Sequence, residues 1–213
     1  MSLLVNHDST EIDNLIQRAA AGDEDALTSL LQRYRTRLKR MVRLRMNRKL
    51  YGRVDDSDVL QDAFLEIAKH LKTYLKDPPM PFYLWLRHIT GEKLITVHRQ
   101  HLGAKMRDAG RDVSLFGGAL PPASTASLAA QLLGRLTSPS QAAIKAESRL
   151  KLQEALNNLN DIDREVLVLR HFEQLSNSEA AQVLKIQESA ASKRYLRALE
   201  RLQHIMIETR LLE

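Results

Sequence analysis

The strongest local constraint in this sequence is a capping box near its C-terminus. Ser176 is followed three residues later by Glu179, so each side chain is placed to satisfy a free backbone N–H of the other at a helix start. A helix begun there runs to about Leu184, and the pattern breaks from Lys185 to Glu188. Apolar residues then recur at Ala191, Tyr195, Ala198, Leu199 and Leu202, the buried stripe of a second helix. Leu175 to Leu202 thus reads as a helix-turn-helix. The outer face of its second helix carries Ser189, Ser192, Lys193, Arg194, Arg197 and Arg201, donors suited to phosphates and base edges. Spacing alone does not separate this reading from a plain helical hairpin with a solvated basic face.

The rest of the chain narrows the choice. With 213 residues there is room for two small domains, and 32 Lys and Arg against 26 Asp and Glu give a net charge of +6, which suits an acidic partner. The absence of cysteine excludes disulfides, thiolate metal sites and a cysteine nucleophile. No basic segment precedes a long apolar run at the N-terminus, and no window approaches the roughly 18 apolar residues of a membrane span. A cytoplasmic protein without a membrane segment is expected.

Helical periodicity dominates from Thr10 to about Met46, with Asp23-Glu24-Asp25 as the acidic first turn of a second helix. Between Arg33 and Arg53 stand ten basic residues and no acid, which favours contact with a polyanion over a merely solvated face. Asp55, Asp56, Asp58, Asp62 and Glu66 then accompany an apolar stripe at Val59, Ala63, Phe64, Ile67, Leu71 and Tyr74. Capping and helix-dipole effects explain these carboxylates better than metal or acid-base chemistry, since no His, Cys or Gly-rich loop follows at ligand spacing. Asp77 to Pro81 stops that helix, and the next, from Phe82 to about His101, interleaves Phe82, Tyr83 and Trp85 with Arg87, His88, Lys93 and Arg99. Such interleaving suits single-stranded nucleic acid, although Trp85 is better placed in the core. His98 and His101 lack a third ligand nearby, so no metal is expected.

From Val113 to about Pro139 the composition turns to Gly, Ala, Ser, Pro and Leu. The expected organisation is therefore all-α: a helical domain over 1–111, a flexible linker over 112–139, and a helix-turn-helix domain over 140–213. Within the linker, Leu128 to Leu136 is apolar enough to form a short docked helix.

In this order the chain resembles the extracytoplasmic-function (ECF) sigma factors of the sigma-70 family. The resemblance covers roughly 10–111 and 140–206. It rests on Ser57-Asp-Val-Leu-Gln-Asp-Ala-Phe64, similar to an acidic Glu-Asp-Leu-Val-Gln-Glu-Thr-Phe pattern, and on Trp-Leu-Arg-x-Ile at Trp85 to Ile89. Asp163-Arg-Glu-Val-Leu-Val-Leu-Arg170 and Lys193 to Leu202 extend it. The resemblance implies that Asp58, Gln61, Asp62 and Phe64 dock on core RNA polymerase. It implies that the Leu75 to Phe82 loop, with Arg87, Glu92, Lys93, Thr96 and Arg99, melts and reads the minus-10 promoter element. It further implies that Glu188, Ser189, Ser192, Lys193, Arg194 and Arg197 read the minus-35 element from the major groove. Promoter DNA and core polymerase are the implied partners, an anti-sigma factor is a family-level expectation, and neither cofactor nor catalytic residue is implied. Lys185 stands where the family's turn usually has Gly, Gln187 where a Ser cap is usual, Ala190 where Thr often faces DNA, and Glu92 where Asn is common. The rival is a stand-alone helix-turn-helix regulator that binds duplex DNA without polymerase.

Overall fold

The computed structural model describes residues 3–102, 123–129 and 142–208, and among these every regular element is helical. Residues 103–122 and 130–141, which include most of the expected linker and residues 130–136 of the expected docked helix, lie outside the described residues. Four helices make the N-terminal group: α1 (Leu3–Ala20), α2 (Glu24–Arg45), α3 (Asp56–Lys76) and α4 (Phe82–Leu102). The C-terminal group comprises α5 (Ala142–Asn157), α6 (Asp161–Leu167), α7 (Asn177–Leu184) and α8 (Glu188–Glu208). A π-helical turn, Val168–Phe172, continues α6.

Side-chain caps set the starts. Asp23 accepts the Ala26 N–H at 2.9 Å to open α2, and Asp55 accepts the Ser57 N–H at 2.7 Å to open α3. Asn160 accepts the Asp163 N–H at 2.8 Å to open α6. Ser176 and Glu179 form the reciprocal pair read from the sequence, at 3.1 and 2.7 Å. Each such cap satisfies a donor that the helix itself leaves open, and each contributes about 1 kcal/mol.

In the N-terminal group α2 packs on α1, α3 and α4, while in the C-terminal group α8 packs on α5, α6 and α7. The aromatic residues hold the first group together. Trp85 is buried and stacks on Tyr74 with ring centroids 4.4 Å apart, Tyr83 stacks on Tyr34 at 5.6 Å, and Phe82 packs against Tyr34, Tyr74 and Trp85. The Tyr74 hydroxyl donates to the Met80 carbonyl at 2.8 Å and ties the Pro-rich loop back onto α3. Most of the aromatic surface of this region is therefore spent on packing.

Both apolar clusters take members from each side of the expected linker. The larger one joins α1 to α4 with Val166, Leu169, Leu175, Ala180, Val183 and Leu184. The second, around Leu152, Leu156, Leu167, Phe172, Ala198 and Leu202, includes Leu44 of α2 and Ala123, Leu128 and Ala129 of a short helical turn over 125–129. That turn is anchored by a hydrogen bond from the Ser124 N–H to the Leu44 carbonyl at 2.7 Å. The two helical groups are pressed together.

Candidate nucleic-acid and protein interface

The carboxylates of α3 divide into two kinds. Asp55 is consumed as the N-cap, and that hydrogen bond from the Ser57 N–H lowers its pKa. Asp56 pairs with Lys39 and Arg43 of α2, and Glu66 receives Lys93 of α4 at 3.0 Å and His70 at 2.9 Å, with its pKa lowered by the bonds from Lys93 and His70. Asp58, Gln61 and Asp62 are exposed, and among the described residues neither Asp58 nor Asp62 has a cationic partner. Because a helix returns to the same face every three or four residues, these three share one ridge, and Leu65 continues it at 58% exposure. Phe64, half-buried, packs against the core beside this ridge. The opposite stripe, Val59, Ala63, Ile67 and Leu71, is buried.

The α4 residues are not one surface. Thr96 and Arg99 are exposed, Glu92 and Lys93 are half-buried, and Lys93 is tied to Glu66. Thr96 also donates its hydroxyl to the Glu92 carbonyl at 2.9 Å. Arg87 lies elsewhere. It is only 4% exposed and donates to Glu173 of the C-terminal group at 2.7 Å.

On α8, Glu188, Ser189, Ser192, Lys193 and Arg197 are exposed, with Leu196 among them at 57%. Ala191, Ala198 and Leu202 face inward. Arg194 is half-buried and donates to the buried Asp163 at 3.1 Å, while Arg201 reaches the same carboxylate at 3.5 Å. Arg194 therefore fastens α8 to α6, and the exposed basic face is carried by Lys193 and Arg197. The turn before α8 contains Lys185 at φ 50° and ψ 42°, the left-handed geometry for which glycine is usual. Gln187 supplies only its backbone carbonyl, to the Ala191 N–H, and the Asn177 side chain adds a bond to the Glu188 carbonyl at 2.9 Å.

A family model described as "ECF sigma factor" matches residues 9–207. The chain belongs to the ECF sigma-factor family. It is 30% identical over 192 residues to the ECF RNA polymerase sigma factor SigD of Mycobacterium tuberculosis, covering 90% of this chain and 82% of that protein. To the ECF RNA polymerase sigma factor ShbA of Streptomyces griseus it is 30% identical over 198 residues, covering 92% and 95%. Among solved structures, CnrH in complex with the cytosolic domain of CnrY matches with a TM-score of 0.55 at 22% identity, over 93% of this chain and 98% of that one, a likeness of fold. Directing RNA polymerase in transcription is accordingly the function of this protein.

The basic run of the sigma factor has a role that sequence reading missed. Arg37 donates to the Gln174 carbonyl at 3.0 Å, and its guanidinium lies 3.6 Å over the Tyr83 ring. Arg40 donates to the Phe172 carbonyl at 3.2 Å. Arg45, buried at 3% exposure, donates to Glu173 at 2.6 Å and to Glu165. Arg33 pairs with Glu11 at 3.3 Å, and Lys39 and Arg43 go to Asp56. The run was expected to meet a polyanion; much of it instead meets carboxylates and free carbonyls of its own chain. Lys49 and Arg53 remain exposed.

Glu173 is fully buried, and it was not among the expected site residues. Burial would raise its pKa, but the Arg45 and Arg87 guanidinium groups outweigh that and hold the carboxyl at about 2. Burial likewise opposes the charge on Arg45, and Glu165 and Glu173 more than restore it, so its pKa is raised. The available signal was a lone acid between Phe172 and Leu175. His98 is buried and accepts the Asn47 N–H at 3.2 Å through Nε2, with its pKa lowered by burial. Among the described residues no cluster of His, Asp and Glu is arranged to hold a metal, and no helix is long and apolar enough to cross a membrane.

Proposed function

We propose that this sigma factor docks on core RNA polymerase through the exposed ridge Asp58, Gln61, Asp62 and Leu65, with Phe64 supporting it from the core side. The observation that carries this is the division of the α3 carboxylates: Asp55, Asp56 and Glu66 are engaged within the chain, while Asp58 and Asp62 stand exposed and unpaired beside an exposed leucine. Unpaired charge around an apolar centre is the composition of a protein-binding surface, with the charges setting orientation and encounter rate.

On this reading the outer face of α4, with Glu92, Lys93, Thr96 and Arg99, captures unstacked minus-10 bases, and Arg87 joins it when released from Glu173. Capture of flipped bases offsets a cost of a few kcal/mol per disrupted step, so promoter opening draws on binding energy. Glu188, Ser189, Ser192, Lys193 and Arg197 read the minus-35 element, with Arg194 as the strut beneath them. No side chain takes a catalytic role and no cofactor is required. The protein acts in the cytoplasm, beside the polymerase, under an anti-sigma factor of the kind usual for the family.

The test is equilibrium binding of the labelled full chain to core polymerase. Replacing Asp58 and Asp62 together by Lys is expected to weaken binding by about 100-fold, that is about 2.7 kcal/mol, while stability falls by no more than about 1 kcal/mol, because both side chains are exposed and only Asp58 stands in the first turn of α3, where a cation opposes the helix dipole. Unchanged affinity would reject the ridge as the docking surface.

A further inference from the structure

Among the described residues of the first helical group, the aromatic side chain most open to solvent is not on α4. Phe82, Tyr83 and Trp85 are taken up by packing, whereas Tyr51, in the connection between α2 and α3, keeps 47% of its surface exposed. That connection is built rather than slack. Leu50 is fully buried, its carbonyl accepts the Arg53 and Val54 N–H groups at 2.9 and 3.1 Å, and Gly52 makes the bend between them at φ 80°. The Asn47 side chain accepts the Lys49 N–H at 3.0 Å, and the Asn47 N–H goes to His98 of α4. The Tyr51 hydroxyl donates to the Arg43 carbonyl at 3.0 Å, an acceptor that the last turn of α2 leaves open. The ring is thus held in place and still half uncovered.

Lys49 and Arg53 flank it in sequence. Both are exposed, and among the described residues neither has a carboxylate partner. A fixed ring between two unpaired cations is suited to nucleic acid, with a base face on the ring and phosphates on the cations. The His98–Asn47 bond sets this connection against the C-terminal end of α4, where Arg99 and His101 are also exposed. From that end the chain continues toward the C-terminal group, which reads the minus-35 element on the reading above, so this end of α4 faces the DNA upstream of the minus-10 element.

We propose that Tyr51 is a stacking platform for promoter DNA at the upstream edge of the melted minus-10 segment, where its ring covers the last intact base pair and Lys49 and Arg53 hold the flanking phosphates. Melting strips that pair of one stacking neighbour, and an aromatic face restores the contact without reading the base. In intact duplex every base face is already covered, so the platform favours the open form and is indifferent to sequence. Its place on the promoter rests on the role given to α4 above.

The test uses holoenzyme assembled from core polymerase and the full chain, with a fork fragment of a genomic promoter that it transcribes: duplex from the minus-35 element to the upstream edge of minus-10, the non-template strand continuing as a single strand. Tyr51→Ala is expected to weaken binding to the fork by about tenfold and to change binding of the isolated minus-10 single strand by less than about twofold. Tyr51→Phe, which loses the bond to the Arg43 carbonyl but keeps the ring, is expected to stay within about threefold of wild type on the fork. A fluorescent adenine analogue in the last base pair is expected to be quenched by wild type and Tyr51→Phe and to stay bright with Tyr51→Ala. Lys49→Gln with Arg53→Gln is expected to reduce the slope of log affinity against log salt by about 1.8, the counterions of two phosphates. Circular dichroism checks that the variants stay folded. Unchanged fork affinity in Tyr51→Ala, or a loss in Tyr51→Phe as large as in Tyr51→Ala, would overturn the platform. So would an equal loss on the single strand, which would put the effect in the fold of α4. The Lys49 and Arg53 substitutions leave the Tyr51 anchor intact, so if Tyr51→Ala does not fold, their salt slope decides, and an unchanged slope rejects the site. If Arg99→Ala binds the single strand as wild type does, the role of α4 fails while the effect of Tyr51 on the fork stands, so the two failures are distinguishable.

Discussion

At the scale of single residues, Lys185 and Glu173 depart in opposite ways from what their local chemistry prefers. Lys185 holds a left-handed backbone that costs an L-residue about 1 kcal/mol or more relative to its relaxed geometry. Replacement by glycine removes that strain while adding unfolded-state entropy, so Lys185→Gly is expected to raise the unfolding free energy by a few tenths to about 1 kcal/mol in urea denaturation. No gain would mean that the Lys185 side chain repays its strain. The turn was legible because spacing located the break, and the structure supplies the φ that the residue type made surprising. Glu173 is the opposite case. A glutamate next to Phe172 looks like any loop acid, and only two arginines 128 and 86 residues away in sequence explain its burial. Its pKa falls from 4.5 to about 2 on folding, so the unfolded chain binds the proton more readily. The stability it contributes is full above pH 4.5 and is lost as pH falls toward 2. Urea midpoints taken from pH 5.5 down to pH 3 are expected to drop more steeply for wild type than for Glu173→Gln. Parallel slopes would contradict the assignment, since Asp23, Asp55 and Glu66, which also carry lowered pKa values, are common to both chains.

At the scale of elements, periodicity and caps located the helices well. The capping box, the acidic start of α2 and the proline stop before α4 each act within one turn of chain, so the local sequence is sufficient to read them. What a helix face does was harder to read. The basic run of α2 looked like a polyanion surface because charge pattern does not reveal which partner neutralises it; Arg33, Lys39 and Arg43 meet Glu11 and Asp56 of the N-terminal group, while Arg37, Arg40 and Arg45 reach the C-terminal group. Similarly, the basic residues of α8 looked equivalent. Arg194 is committed to Asp163, whose side chain is 4% exposed, and Arg197 is free at the surface. Arg194→Ala is expected to destabilise the fold by about 1 to 3 kcal/mol by leaving a buried carboxylate short of a partner. Arg197→Ala is expected to change stability by less than about 0.5 kcal/mol and to weaken minus-35 recognition by about 1 to 3 kcal/mol if it is bidentate to guanine. Thermal melts and promoter-binding titrations of the polymerase complex separate the two, and equal effects in both assays would contradict the division of labour.

At the scale of the whole molecule, the sequence shows an all-helical chain with a compositional break near its middle, and the order of motifs carries the family. How the halves sit together was not legible, because the contact is made by residues far apart in sequence: Leu44, Arg45 and Arg87 on one side, Glu165, Phe172 and Glu173 on the other. Part of the basic surface of a chain whose net charge is +6 is turned inward, with Arg37, Arg40, Arg45 and Arg87 all engaged by the C-terminal group. The measurement that bears most directly on this account is run-off transcription with core polymerase and this protein on genomic promoter fragments. The account predicts discrete transcripts that require both core and sigma factor and that disappear with the Asp58→Lys, Asp62→Lys double substitution. Absence of any specific transcript, together with tight sequence-specific binding to duplex DNA by the protein alone, would contradict it.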